Sequence, residues 1–200
     1  MSDPRETFGP LSAYHPPVIG LTGLRGVGKS TAANYLFVEY DFARLHSFAG
    51  GKAAAAAYFE HLGASPGDAL RMVDGDLRDV PSPLLPGDAT PRHFLERFGR
   101  FMGVDMGPDW TLGAEIARAW RREPSRPLVV ESVVYEAPVI RAVGGLVVRI
   151  ERPGHGGPVG VCTDAAQAAL DVDATIVNDG DLGKLRRDID RIAQQMLGGN

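Results

Sequence analysis

Nine consecutive residues carry the most legible chemistry in this chain. Gly23-Leu24-Arg25-Gly26-Val27-Gly28-Lys29-Ser30-Thr31 fit the pattern G-x-x-x-x-G-K-S, a loop that cradles phosphate. Its glycines let the backbone curl around phosphate oxygens with no Cβ in the way. Lys29 would reach the β- and γ-phosphates, and the Ser30 hydroxyl would ligate Mg²⁺. The loop works only if a strand precedes it and a helix follows, because backbone N–H groups and a helix N-terminus supply most of the grip on the anion. Both are predicted. Val18-Ile19-Gly20-Leu21-Thr22 is a short apolar run of the kind that forms a buried strand, and Thr31-Ala32-Ala33-Asn34-Tyr35-Leu36-Phe37 reads as a helix.

The elements needed to hold such a loop recur along the chain. Phe42 to Phe48 reads as a second strand, and Ala49 to Leu62, with its alanine run, as a helix. Val73 to Thr90 is rich in proline and glycine and reads as a long loop. Thr90-Pro91 resembles an N-cap followed by proline at the first helical position, opening a helix to about Phe101. Another helix is expected after Asp109, with Trp110, Ile116 and Trp120 near helical spacing. Pro127 to Glu131, Leu146 to Ile150 and Ala174 to Asn178 read as strands. Ala137 to Val143, Thr163 to Leu170 and Leu182 to Leu197 read as helices. This alternation predicts an α/β sandwich: a five-stranded, mainly parallel sheet flanked by helices, of the P-loop nucleotide-binding type. Residues 1–17 are expected to form a loose arm and 18–200 a single domain, with a helical insertion at about 49–122 and a short glycine-rich lid at about 151–162.

Composition narrows the classes. An apolar share of 44% suits a full core, and a net charge of −4 argues against a general nucleic-acid binder. The lone cysteine, Cys162, permits no internal disulfide, which favours a reducing, cytoplasmic setting. No apolar run is long enough to span a membrane.

Outside the loop, several residues carry open readings. Glu131, at a strand end, could organise the water shell of Mg²⁺ or cap a neighbouring helix. Arg92 sits in the first turn of its helix, where a cation opposes the dipole. Such local conflicts gather at sites, but a solvated surface arginine reads the same way. Lys52 has the same two readings. Phe48 could stack on a base or fill a core. Arg97, Arg100, Arg149 and Arg152 are further candidates for a cationic clamp. His155 reads as an exposed loop histidine, and Asp74, Asp76 and Asp79 as a solvated acidic loop rather than a metal cluster.

The blocks Ser47-Phe48-Ala49-Gly50-Gly51-Lys52, Thr90-Pro91-Arg92-His93-Phe94-Leu95-Glu96-Arg97-Phe98-Gly99, Val148-Arg149-Ile150-Glu151-Arg152-Pro153-Gly154 and Ile176-Val177-Asn178-Asp179-Gly180-Asp181-Leu182 follow the P-loop in order. With Trp110 and Gly144-Gly145 between them, this series resembles the bacteriophage-type deoxynucleoside monophosphate kinases. The likeness runs from about Val18 to Leu197. It implies a nucleotide-kinase fold, ATP and Mg²⁺ as cofactors, and a (deoxy)nucleoside monophosphate as acceptor. Lys29 and Arg152 would then serve the transferred phosphoryl group, and Arg92, with Lys52 and Arg100, the acceptor phosphate. Asn178 and Gly180 would lie beside the adenine. No nucleic acid or membrane partner is implied, and a homodimer is compatible with the resemblance. The chain departs from the family at two places. Where the family has Asp-x-Arg at the end of the third strand, this chain has Val129-Val130-Glu131-Ser132-Val133-Val134-Tyr135, in which Glu131 matches the aspartate only after a one-residue shift and no arginine stands in register. Where the family has an arginine shortly after the glycine of the Thr90 block, this chain has Val104, with Arg100 near. A catalytically weak nucleotide-binding protein or sensor, or a kinase for another small phosphorylated acceptor, is the alternative reading.

Overall fold

The computed structural model describes residues 15–155 and 164–198. The chain forms two compact units, one from residues up to Ser47 together with Leu112 onward, the other from Phe48 to Thr111.

The first unit is built on five parallel strands: β1 (Val18–Thr22), β2 (Ala43–His46), β3 (Leu128–Glu131), β4 (Leu146–Glu151) and β5 (Ala174–Val177). Their order across the sheet is β2-β3-β1-β4-β5, and every pairing is parallel. The expected sandwich is therefore present, with a wholly parallel sheet. β1 reads as a continuous apolar run because it is central and buried on both faces.

The pleat sorts strand side chains into two cores. Ile19, Leu21, Val129, Val148, Ile150 and Ile176 pack with helices α1 (Lys29–Tyr40) and α8 (Leu182–Gly198). Val18, Leu45, Leu128, Val130 and Val147 point the other way, toward Leu112 and Ile116 and toward α6 (Ala137–Ala142). Phe42, expected in the second strand, instead precedes it and is fully buried on the α1 side. Close packing fixes Gly20, where a Cβ would lie 2.5 Å from the Ile140 side chain.

The second unit holds α2 (Ala49–His61), α3 (Pro66–Asp74), α4 (Pro91–Arg100) and the opening of α5 (Pro108–Arg122). Its core is Ala55, Phe59, Ala69, Met72, Val73 and Leu85. Ser65 caps α3 by accepting from the Asp68 N–H, and Thr90 caps α4 by accepting from the His93 N–H. The stretch expected as one loop from Val73 to Thr90 begins in the last turn of α3 and contains two 3₁₀ turns, Asp76–Asp79 and Pro86–Asp88. The remaining helix of the first unit is α7 (Asp164–Ala169).

Candidate functional site

The P-loop leaves the carboxyl end of β1 and runs into α1. Gly28 is the N-cap of α1 with φ +112°, and Gly26 has φ +80°, a left-handed backbone that side chains rarely adopt. Val27 between them is 1% exposed and anchors the loop in the core. α1 begins with no side-chain cap and no acidic residue in its first turn. Its leading N–H groups and positive dipole end are therefore left facing outward, as an anion site requires. The Lys29 ammonium donates to the carbonyls of Gly23 and Leu24 at 2.6 and 2.7 Å, folded into the curl of the loop. Arg25, Ser30 and Thr31 are exposed at its mouth.

The neighbouring strand end carries the acid. Glu131 pairs in register with Leu21 of β1 on one side and His46 of β2 on the other. It alternates with Val129, which belongs to the α1-side core, so its side chain stands on the α1 face of the sheet. Both Nε and Nη2 of Arg44 donate to its Oε1, at 2.9 and 2.7 Å. Sequence reasoning passed over Arg44, because nothing local ties it to a residue 87 positions away. After Glu131 the chain turns sharply through Ser132, with φ +63°, a costly conformation for a residue with a Cβ. Val133 then points inward and is fully buried. Its N–H donates to the Leu21 carbonyl, and its own carbonyl accepts from the buried Thr22 hydroxyl at 2.8 Å.

Asn178 follows β5 and is tied to the P-loop: its Nδ2 donates to the Val27 carbonyl at 2.7 Å, and its Oδ1 accepts from the Gly180 N–H. Arg152 is exposed just past β4. His155 is exposed, as expected, and it also lies over the P-loop, its Nε2 only 2.5 Å from where a Cβ on Gly26 would stand. Residues 156–162 of the expected lid, and Cys162, lie outside the described residues, as does nearly all of the expected N-terminal arm. Arg149 is committed elsewhere. Its guanidinium donates to the carbonyls of Gln167, Ala168 and Leu170, capping the C-terminal end of α7. A groove of about 480 Å³ runs over the surface of α1 and α8, lined by Ser30, Thr31, Asn34, Arg44, Leu182 and Arg186 among others.

The candidates for the acceptor side, Phe48, Lys52, Arg92 and Arg100, all belong to the second unit. The Phe48 ring packs edge-on against Phe98 at 5.6 Å and fills the space where Gly51 lacks a side chain. Lys52 is paired to Asp74 at 2.8 Å. Arg92 is paired to Asp79 through Nε and Nη2, and that carboxylate raises the basicity of the guanidinium. Arg71 grips Asp76, whose carboxyl is lowered to about 2. The acidic stretch is exposed, as expected, and its carboxylates are ion-pair partners for the cations around it. Arg100 and Trp110 are exposed, whereas Trp120 packs against the core of the first unit.

Among the described residues, no three of His, Cys, Asp and Glu converge as a metal site. A P-loop Mg²⁺ ion would need an oxygen donor at the helix start and an acid nearby; Ser30 stands at the start of α1, and Glu131 ends β3 on the face that carries α1. Likewise, no helix among the described residues is long and apolar enough to cross a membrane.

No family model matches the chain, and no curated protein matches it. Among solved structures it is similar to TT1252 from Thermus thermophilus, with 19% identity and a TM-score of 0.47 over 91% of this chain and 98% of that one. It is also similar to a candidate kinase from Chloroflexus aurantiacus, with 14% identity and a TM-score of 0.44 over 94% of this chain and 100% of the other.

Proposed function

We propose that this protein transfers the γ-phosphoryl group of ATP to a (deoxy)nucleoside monophosphate, giving ADP and the nucleoside diphosphate. The observation that carries the reading is the P-loop itself. It sits at the carboxyl end of the central strand, its lysine folded against its own carbonyls, with an acid at the end of the adjacent strand. In the transfer, the bond from the γ-phosphorus to the bridging oxygen of ADP breaks, and a bond to an acceptor phosphate oxygen forms. This chemistry needs no covalent enzyme intermediate; positioning and charge supply most of the rate.

In this reading Lys29 leaves the Gly23 and Leu24 carbonyls for the β- and γ-phosphates, while the P-loop N–H groups hold the β-phosphate. Bound Mg²⁺ would neutralise phosphate charge, held from Ser30 and, through water, from Glu131. Arg152 lies at the start of the segment that would cover the phosphates. In the same reading Lys52, Arg92 and Arg100 of the second unit are the acceptor-side cations, and Phe48 offers an aromatic face.

One observation favours a second reading, a nucleotide binder with little catalysis. The stretch after β3 carries no counterpart of the resembled family's Asp-x-Arg arginine, and loss of one transition-state arginine can cost about 10³-fold in rate. The two readings separate cleanly. Purified protein is incubated with ATP, Mg²⁺ and a panel of nucleoside and deoxynucleoside monophosphates, ADP formation is followed, and Lys29→Ala serves as control. Turnover that depends on one or two monophosphates and vanishes in Lys29→Ala supports the kinase. Lys29-dependent ATP binding without acceptor-stimulated ADP supports the binder.

A further inference from the structure

Arg44 occupies an unusual place. It lies on β2, at the open edge of the sheet, on the face that carries α1. Its partner Glu131 has a side chain only 14% exposed, while Arg44 itself is 39% exposed. Two N–H groups converge on a single carboxylate oxygen, which fixes the carboxylate more firmly than one contact would. Arg44 also borders the same groove as Ser30 and Thr31. The strained Ser132 immediately after Glu131 shows that the chain accepts backbone cost to end β3 at this point.

From this geometry, and resting on the reading of the P-loop as a nucleotide·Mg²⁺ site, we infer that Arg44 is a positioning residue for Glu131. By holding Oε1, it sets the rotamer of the acid that ends β3 and aims it at the Mg²⁺ water shell. Without Arg44, the carboxylate has other rotamers and stays more fully hydrated. The cation thus acts on the metal through another side chain, as outer-shell partners of metal ligands commonly do.

The test is titration calorimetry of ATP with and without Mg²⁺ on the full chain, for wild type, Arg44→Ala, Arg44→Lys, Glu131→Gln and the Arg44→Ala/Glu131→Gln double variant. Thermal melting of each variant checks that it is folded. The readout is the factor by which Mg²⁺ tightens ATP binding. The expected result is that Arg44→Ala and Glu131→Gln each shrink that factor by about 10-fold, that the double variant loses no more than either single one, and that ATP binding without Mg²⁺ is not weakened by Arg44→Ala. Arg44→Lys should recover part of the factor. If Glu131→Gln loses the Mg²⁺ effect while Arg44→Ala keeps it whole, the inference is overturned and the nucleotide reading stands. If ATP does not bind wild type, or binds equally well to Lys29→Ala, the nucleotide reading itself fails and the inference falls with it.

Discussion

Asn178 and Val27 lie 151 residues apart in sequence and 2.7 Å apart in space, amide nitrogen to carbonyl oxygen. The bond is buried, and it ties the turn after the last strand to the crest of the P-loop. Asn178→Ala leaves the Val27 carbonyl without this donor, at a cost of about 1 to 3 kcal/mol in stability. Because Val27 lies in the loop whose N–H groups would hold phosphate, ATP affinity should fall as well. Chemical denaturation and nucleotide titration of the variant check both. Gly28→Ala attacks the same contact from the other side: its methyl would lie 2.6 Å from Asn178 Nδ2, on a backbone with φ +112°. Its loss of stability should exceed that of Asn178→Ala.

Lys29 makes two hydrogen bonds to loop carbonyls that phosphate must replace. Lys29→Ala removes a charged donor from the cradle, worth about 10- to 100-fold in ATP affinity. Fluorescent-nucleotide displacement measures it. An unchanged affinity would mean that the nucleotide does not occupy the P-loop.

Arg92 is held by the Asp79 carboxylate, so an acceptor phosphate bound at Arg92 competes with that carboxylate. Asp79→Asn should lower the acceptor KM, leave kcat nearly unchanged, and cost less than about 1 kcal/mol in stability, since the pair is partly exposed. Arg92→Ala should raise the same KM. Steady-state kinetics on both variants check the pair, and a KM that ignores both removes Arg92 from the acceptor site.

Tyr35 and Tyr40 of α1 both donate to one oxygen of Asp190 on α8, at 2.9 and 2.8 Å. The hydrogen bond to Asp190 pushes the Tyr40 phenol up to about 12 from an ordinary value of 10. A folded-state value raised above the unfolded one gives stability that is fully present below pH 10 and is lost as pH rises through 12. Tyr40→Phe should therefore reduce stability at neutral pH and make little difference above pH 12. Alkaline titration followed by near-ultraviolet absorbance should also lose its latest-ionising phenol in this variant.

The sequence made the P-loop readable because glycine, lysine and serine spacing encode a local backbone shape, and the flanking apolar runs encode burial. The five strands were readable for the same reason. Helix α3 was not, although Ser65-Pro66 is a cap signal and Ala69, Met72 and Val73 share a face; Gly67 and the helix's short length masked the period. The partnerships Arg44–Glu131, Lys52–Asp74 and Arg92–Asp79 were not readable at all. Each depends on strand register or helix packing that brings distant residues together, and neither leaves a mark in local composition. Arg149 looked like a clamp on charge alone. Only the pleat, which turns it to the face opposite α1, reveals that it caps α7 instead.

The inward turn at Val133 has a consequence for engineering and for divergence. Introducing the third-strand arginine by Val133→Arg would not graft a working phosphate clamp onto this scaffold. It would drive a guanidinium into a packed hydrocarbon layer between Val130, Ile140 and Gly20, where an unpaired charge is far more expensive than any catalytic gain. The strand end would have to be rebuilt along with the side chain.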